Sequence, residues 1–495
     1  MSVSRVFCRT LSVSNLLNYK VAIVGSGPAG FYTAHHLLHK ANGLDISVDF
    51  FDRLPAPYGL SRYGVAPDHP EVKNCEDYMD NLMEDFPKQV RFFGNVNIGN
   101  DLSLKQLKHH YDSIVLAYGC TGSDNKLLVP GEDLPGVILA RQFVNWYNSH
   151  PDSLSGPKNI PPPLEKIKNV TIIGNGNVAI DVARVLLADP TKHWATTDIS
   201  TAAVKLLEKS KVKRVNIVAR RGLLQSAFTN KEIRELLQLS KELKVHFIPI
   251  SADILDPIKP TAKSLGRVDK RKFTILEKAS AEVQDFDIDS KIWALEFLKS
   301  PKEFVVNPND PQLLASTVFE ENELVEDKLT QRVSVKPTGK YTSIKNELVI
   351  TSIGYKGVEL KDFDSVGITF NTKKNCLANR EGRLLNNEST DPDHNFEYIR
   401  GWYTSGWIKK GPQGVIATTM MESFDTADKV LEDLSNGIHN ESQTEDDIVK
   451  ELPETFVDWA GWKKINDAEI AKGKEMNKTR NKFADVGDMV KCAQL

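Results

Sequence analysis

The sequence predicts an α/β protein with two parallel-sheet units, and three observations predict it. The stretch Lys20–Gly30, KVAIVGSGPAG, is a short apolar run, a glycine-rich loop and the start of a helix. The stretch Val170–Ala179, VTIIGNGNVA, repeats that order. The residues that close the two units differ: Asp52 ends the first, and Arg220-Arg221 the second.

In the first unit Val21-Ala22-Ile23-Val24 reads as a buried parallel strand, since such strands are covered on both faces and need no polar alternation. Gly25-Ser26-Gly27-Pro28-Ala29-Gly30 follows, then a helix over Phe31–His39. Strand, G-x-G-x-x-G and helix together open a Rossmann-like dinucleotide-binding unit. Gly25 permits the tight turn, Gly27 lets the backbone approach a pyrophosphate, and Gly30 lets the helix pack on the strand. The helix N-terminus presents free N–H groups and its positive dipole end to the phosphates. Asp52 stands twenty-two residues after Gly30, at the end of the apolar run Ile46–Phe51. A carboxylate there accepts hydrogen bonds from ribose hydroxyls.

Bulk properties narrow the class. A chain of 495 residues has room for about two to four domains. A formal net charge of −3 gives no global attraction for nucleic acid. No run of eighteen apolar residues occurs, so nothing predicts a bilayer span. The cysteines are Cys8, Cys75, Cys120, Cys376 and Cys492, with no C-x-x-C pair. That pattern points to neither a disulfide framework, a metal site nor a redox-active dithiol. Residues 1–19 hold Arg5, Arg9, four serines and no acid. This is the composition of a mitochondrial transit peptide, with a disordered tail as the other reading; both exclude it from the fold.

After Asp52 the segment Leu54–Pro70 mixes proline, glycine and aromatics and holds Asp68 beside His69. It reads as a ligand-covering loop or as a plain surface Ω-loop. A helix over Glu71–Phe86 and strands over Val90–Ile98 and Ser113–Tyr118 follow, and Gly119–Asp124 makes a turn-rich crossover. The proline-rich linker Pro157–Pro163 precedes the second unit. There Gly174-x-Gly176-x-x-Ala179 carries alanine in the third position, which the fingerprint permits, and the helix Val178–Ala188 follows. The next strand, Arg214–Ala219, ends at Arg220-Arg221. Paired guanidinium groups grip a 2′-phosphate by charge-assisted, bidentate bonds, which selects NADP over NAD. A solvated basic pair is the alternative.

Thr229 and Glu232 fit a capping box at a helix start. Lys259, Lys263, Arg267, Lys270, Arg271 and Lys272 stand against one acid, Asp269. That stretch is either a solvated loop or a docking patch for an acidic partner. Residues 280–350 read as short strands and turns with an acidic loop at Glu320–Asp327, and Leu348–Tyr355 reads as a strand returning to the first domain. In Gly401–Met421 a strand, Trp402–Ser405, leads to Gly411-Pro412-Gln413-Gly414 and a helix through Asp433. Backbone N–H groups at such a helix start suit the electron-rich N1 edge of a reduced flavin. Trp407 packs beside that ring or in the core. Asn436–Glu454 reads as a surface linker, and Phe456–Ile470, with Trp459 and Trp462, as a helical segment.

Five stretches together resemble the adrenodoxin reductases, the mitochondrial NADPH–ferredoxin reductases, and in particular a fungal member. They are GSGPAGFYTA at Gly25–Ala34, YGLSRYGVAPDHPEVKN at Tyr58–Asn74, GNGNVAIDVARVLL at Gly174–Leu187, RRGLLQSAFTNKEIRE at Arg220–Glu235 and SGWIKKGPQGVIATTM at Ser405–Met420. The resemblance implies two Rossmann-like domains, with the NADP domain inserted into the FAD domain. The implied boundaries are 1–19 for the presequence, 20–121 and 355–495 for the FAD domain, and 122–354 for the NADP domain. It implies FAD on the Gly25–Gly30 loop, Pro28 and Ala29 included, and on Asp52, Leu60, Ile98, Trp407, Gly414, Val415 and Ile416. Asp52 replaces a frequent Glu, one methylene shorter. NADP is implied on Asn175, Gly176, Asn177, Val178, Arg220, Arg221, Glu232 and Gly414, and an acidic [2Fe–2S] ferredoxin on Arg234, Arg267, Lys270, Arg271 and Lys272. The Arg267–Lys272 segment departs in detail from the family.

The implied activity is transfer of electrons from NADPH through FAD, one at a time, to a mitochondrial ferredoxin that serves iron–sulfur cluster and haem assembly. The implied compartment is the matrix, with peripheral inner-membrane contact left open. Such chemistry belongs to the cofactors and requires no nucleophile or metal. His69 is the residue with a candidate indirect role, in proton handling or positioning; a structural histidine is the alternative. The residues alone also admit a flavin monooxygenase or a non-catalytic nucleotide-binding scaffold.

Overall fold

The computed structural model describes residues 18–120, 122–155, 160–242, 244–282, 287, 289–327, 332–386 and 397–495. The expected presequence lies outside them except for Asn18 and Tyr19, which already belong to the first strand. The chain forms two compact units. One contains the chain up to Tyr58, Glu76–Gly119 and Val358–Trp459; the other contains Gly59–Cys75, Cys120–Gly357 and Ala460–Leu495.

In the first unit five strands run parallel, in the order Tyr398–Thr404, Ser113–Leu116, Asn18–Val24, Asp45–Phe51 and Val90–Phe93, and two short antiparallel strands extend one edge. The pairing Val21↔Val48 and Val24↔Phe51 fixes the register. Val21, Ala22 and Ile23 are wholly buried, which is why the run shows no period of two. The expected helix over 71–86 is three short pieces, Pro70–Lys73, Asn74–Glu76 and Asp77–Asp85. The long strand over 90–98 stops at Phe93.

The second unit holds a six-stranded, all-parallel sheet in the order Val137–Leu139, Leu348–Thr351, Asn169–Ile173, Arg214–Val218, Lys291–Glu296 and Val245–Ile248. Leu348–Thr351 is therefore an interior strand here and not the return to the first domain; that return comes at Val358. Residues 299–345 are not short strands and turns. They form an antiparallel sheet of Lys299–Val306, Leu314–Glu326 and Val333–Lys345. The acidic segment Glu320–Asp327 lies mostly within its middle strand, because Glu323, Leu324 and Val325 pair with Lys336, Val335 and Ser334. Cross-strand pairing outweighs the loop-like composition.

The helical segment after Trp459 packs with the second unit, not the first, and ion pairs explain why. Arg62 Nη2 donates to both oxygens of the fully buried Glu469 carboxylate, at 2.6 and 2.7 Å. Phe483 N and Arg480 Nη1 complete that carboxylate at 2.9 and 3.2 Å. Lys482 Nζ donates to Arg62 O at 3.1 Å and to Asp198 Oδ2 at 2.8 Å, and Lys73 binds the same Asp198 oxygen. Helix Trp459–Glu475 thus straps the segment Gly59–Cys75 in place. Among the described residues no helix is long and apolar enough to cross a membrane.

Glu469→Ala leaves the Arg62 guanidinium buried without its counter-charge, which costs about 3–5 kcal/mol. Denaturant unfolding followed by tryptophan fluorescence should register that loss in the second unit. A loss below about 1 kcal/mol, the scale of an exposed pair, would show that Lys482, on Arg62 O and Asp198, holds the strap without it.

Candidate functional site

Both glycine loops leave their sheets at the carboxyl ends of parallel strands, the edge at which such folds bind ligands. In the first unit Gly25 N–H donates to Phe51 O at 2.7 Å, which brings the following residue, Asp52, beside the loop. Asp52 Oδ2 accepts from Ser26 N at 3.0 Å and Ser26 Oγ at 2.6 Å, and Oδ1 from Leu54 N at 3.0 Å. These bonds aim the carboxylate along the loop, with lone pairs left for hydroxyl donors. Helix Pro28–His39 begins at Gly27 with no side-chain cap and proline in its first turn, so the amides of Ala29 and Gly30 remain for an anion.

The stretch after Tyr398–Thr404 meets the same helix. Thr33 Oγ1 donates to Ser405 Oγ at 3.0 Å, and Ser405 Oγ donates to Ser423 Oγ at 3.1 Å. Gly406 has φ +72°, and a Cβ there would collide with the Ala29 methyl. Trp407 follows directly, at the start of the short helix Trp407–Lys410. Helix Ile416–Ser435 starts at Val415, again uncapped, with Gly414 and Val415 exposed. Ile98 is buried beyond the strand Val90–Phe93. Leu60 belongs to the second unit, at the start of the short helix Leu60–Tyr63.

The second unit repeats the first up to the acid. Gly174 N–H donates to Val218 O at 2.9 Å, so the chain beyond Val218 passes beside the loop as Asp52 does. Helix Asn177–Leu187 starts uncapped at Gly176, where a Cβ would project into open space; the bare backbone there leaves room for a phosphate. The segment Ser226–Thr229 is laced across this loop: Asn175 Nδ2 donates to Ser226 Oγ at 3.0 Å, and Thr229 N to Asn177 Oδ1 at 2.8 Å. Arg220 and Arg221 are exposed. Among the described residues no hydrogen bond or ion pair engages either guanidinium.

Glu232 makes only half of the expected capping box. Its N–H donates to Thr229 Oγ1 at 3.3 Å, but its carboxylate turns inward to Arg184 at 3.1 Å. Arg184 is the residue that sequence reasoning missed. Its guanidinium is buried and meets Asp68 at 2.6 Å, Glu235 at 2.8 Å and Asp181 at 3.2 Å as well. The available signal was local: Asp181 and Arg184 stand three apart on an otherwise apolar helix face. His69, buried, lies with Nε2 2.8 Å from Glu235 Oε2. Burial lowers the His69 pKa and Arg184 adds to this, but the hydrogen bond to Glu235 with Asp68 and Glu232 outweighs both, and the net shift is upward. Burial pushes the Asp181 carboxyl up against the pull of Arg184, and Glu232 adds to the rise. His69, Asp181 and Glu232 bring three ligand-type atoms within 4.8 Å, but the Arg184 cation already faces both carboxylates.

The basic stretch is not a loop. Lys259–Thr261 is one 3₁₀ turn and Arg267–Ala281 is a helix. Arg267, Lys270 and Arg271 are exposed on it, and Arg234 is exposed on the neighbouring helix, which Asn230 Nδ2 joins to Val268 O at 3.2 Å. Lys272 departs from the expectation. It is buried, its Nζ donates to Ser226 O at 2.6 Å, and it lies over the Phe228 ring. It supports the loop and offers no charge to a partner.

Comparison with known proteins agrees with this geometry. Residues 19–251 match the family described as pyridine nucleotide-disulphide oxidoreductase. The chain is 39% identical to the probable NADPH:adrenodoxin oxidoreductase, mitochondrial, of Saccharomyces cerevisiae, over 96% of this chain and 97% of that protein. It is 35% identical to the human NADPH:adrenodoxin oxidoreductase, mitochondrial, over 95% and 91%. Among solved structures, FprA of Mycobacterium tuberculosis in complex with NADPH superposes with a TM-score of 0.84 and 34% identity, covering 97% of this chain and all of that one.

Glu235→Gln should lower the His69 pKa, since it removes the main raising partner. Carbon-13 histidine labelling, with His69→Gln to assign the signal, reads it directly. An unchanged midpoint would give the upward shift to Asp68 and Glu232. The sign for stability follows: the pair stabilises the fold below the unfolded histidine value of about 6.5 and loses that contribution as pH rises through the higher folded value.

Proposed function

The chain belongs to the family of mitochondrial NADPH:adrenodoxin oxidoreductases, and from that premise we propose that it passes electrons from NADPH, by way of FAD, singly to a mitochondrial [2Fe–2S] ferredoxin. The observation that carries the reading is the contrast between two matching loops. One is backed by a carboxylate tied to its own serine, Asp52 on Ser26. The other is backed by Arg220 and Arg221, whose guanidinium groups no described residue engages.

FAD is assigned to the first loop. The amides of Ala29 and Gly30 take its pyrophosphate, Asp52 takes its ribose, and Trp407 with the uncapped Gly414–Ile416 turn serves its ring; Leu60 and Ile98 are assigned with them by resemblance. NADPH is assigned to Asn175–Val178, with Arg220 and Arg221 on its 2′-phosphate and with Glu232 and Gly414 as further contacts. FAD supplies, when bound, the exchange between a hydride and single electrons that an iron–sulfur acceptor needs. The protein binds, orients and steers. His69, paired with Glu235 and faced by the Arg184 network, acts by positioning and by holding a proton at Nε2. Arg234, Arg267, Lys270 and Arg271 attract an acidic ferredoxin at long range. A matrix location, with iron–sulfur cluster and haem assembly as the use of the electrons, completes the reading.

Arg220→Ala with Arg221→Ala should raise the KM for NADPH roughly ten- to hundred-fold, the scale of lost charge-assisted bonds, and leave that for NADH nearly unchanged. Equal effects on both nucleotides in steady-state kinetics would remove the 2′-phosphate assignment. Anaerobic titration of the purified protein with NADPH and a mitochondrial [2Fe–2S] ferredoxin tests the whole. Flavin and iron–sulfur bands should both bleach, and ferredoxin reduction alone should slow as salt rises. A colourless protein, or a ferredoxin that stays oxidised beside reduced flavin, would overturn the reading.

A further inference from the structure

The antiparallel sheet over 299–345 has no part in the function as read so far, yet its middle strand reaches the arginine turn. Asn322 lies where the pairing of that strand shifts register, between Glu320↔Tyr341 and Asn322↔Pro337. The bulge turns its side chain inward, and it is 6% exposed. Asn322 Nδ2 donates to Arg220 O at 3.0 Å and to Ser300 Oγ at 2.8 Å. Its backbone N–H donates to Leu298 O at 2.8 Å, Leu298 N–H donates to Arg221 O at 3.2 Å, and Lys299 N–H donates to Ala219 O at 3.0 Å. Three successive carbonyls, those of Ala219, Arg220 and Arg221, are thus gripped from one side. The outer half of the bulged strand adds a contact: a Cβ at Gly222 would stand 3.1 Å from Leu324 Cδ1.

Two exposed arginine side chains carry large rotamer freedom, and each must be ordered when it meets a ligand. Among the described residues nothing holds their guanidinium ends, so the fixed part of the grip is the backbone from which they rise. We propose that Asn322 is a positioning residue for recognition of the nucleotide's 2′-phosphate: by clamping the Arg220 carbonyl it aims both guanidinium groups at one point. This rests on the assignment of Arg220 and Arg221 to that phosphate. The sheet that carries Asn322 is then a brace for nucleotide selection, and the bulge is what points the amide at the turn.

The test is calorimetric binding of 2′,5′-ADP and of 5′-AMP, which lacks the second phosphate, to the holoprotein. Asn322→Leu keeps the number and branching of side-chain heavy atoms and removes the donor. It should weaken 2′,5′-ADP about five-fold, the scale of one neutral hydrogen bond, and leave 5′-AMP unchanged. Asn322→Ala, smaller than the native side chain and without a donor, carries the same expectation if the leucine variant does not fold. Equal weakening of both ligands would reduce Asn322 to a structural role, and no weakening of either would remove it altogether. Arg220→Ala with Arg221→Ala separates the premise from the proposal. Loss of the preference for 2′,5′-ADP in that variant upholds the arginine assignment whatever Asn322 does, and survival of the preference overturns both.

Discussion

Each ligand loop is pinned by a backbone approach that a side chain would forbid. Gly25, at φ +105°, would set a Cβ 2.6 Å from Ala117 O, and Gly174, at φ +117°, would drive one into Ser352 O. The strand end, the carbonyl of a neighbouring strand and the helix start are therefore locked together before any ligand is considered. From that lock follows the hydrogen bond from each glycine N–H to the last residue of the next strand, Phe51 or Val218. That bond decides which downstream residue stands beside the loop. On the proposed assignment the same backbone serves two nucleotides, and the residues that come just after the bonded carbonyl, Asp52 in one unit and Arg220 with Arg221 in the other, suit a sugar hydroxyl and a phosphate.

The second unit adds a constraint of charge. Arg184 is buried, and a buried cation is tolerated only when carboxylates surround it. Asp68, Asp181, Glu232 and Glu235 do so from three separate stretches of chain. The hydrogen bond to Glu235, with the charges of Asp68 and Glu232, is what favours protonation of His69 against its burial. The histidine and the acids are in this sense one unit, and the effect of changing any one of them depends on the others.

How much of this the sequence discloses depends on distance along the chain. The two strand–loop–helix openings were readable because their whole logic fits within about ten residues. Arg184 was not, because its partners Asp68 and Glu235 lie 116 and 51 residues away. Lys272 looked like its neighbours in a basic run, but on a helix one position in such a run turns inward, and Ser226 O receives it. The strand holding Asn322 read as an acidic loop because its stabilising partners, residues 333–345, are supplied across the sheet rather than by its own composition. The compact units follow long-range pairs in the same way: the segment Gly59–Cys75 and the helices after Trp459 go with the second unit through ion pairs that no local pattern announces.

Those pairs have a consequence for how the protein comes into being. Arg62 and its carboxylate partner stand 407 residues apart, and Lys482 reaches back 420 residues to the Arg62 carbonyl. A ribosome releases the two glycine loops, and the sheets they leave, long before it releases Glu469. Local units form early during synthesis and distant contacts late. Arg62 must therefore wait, still hydrated, until nearly the last turn of translation delivers its carboxylate. Any polypeptide cut short before Glu469 would carry both glycine loops and keep Asp68, His69 and Lys73 on their partners, yet leave Arg62 without its counter-charge.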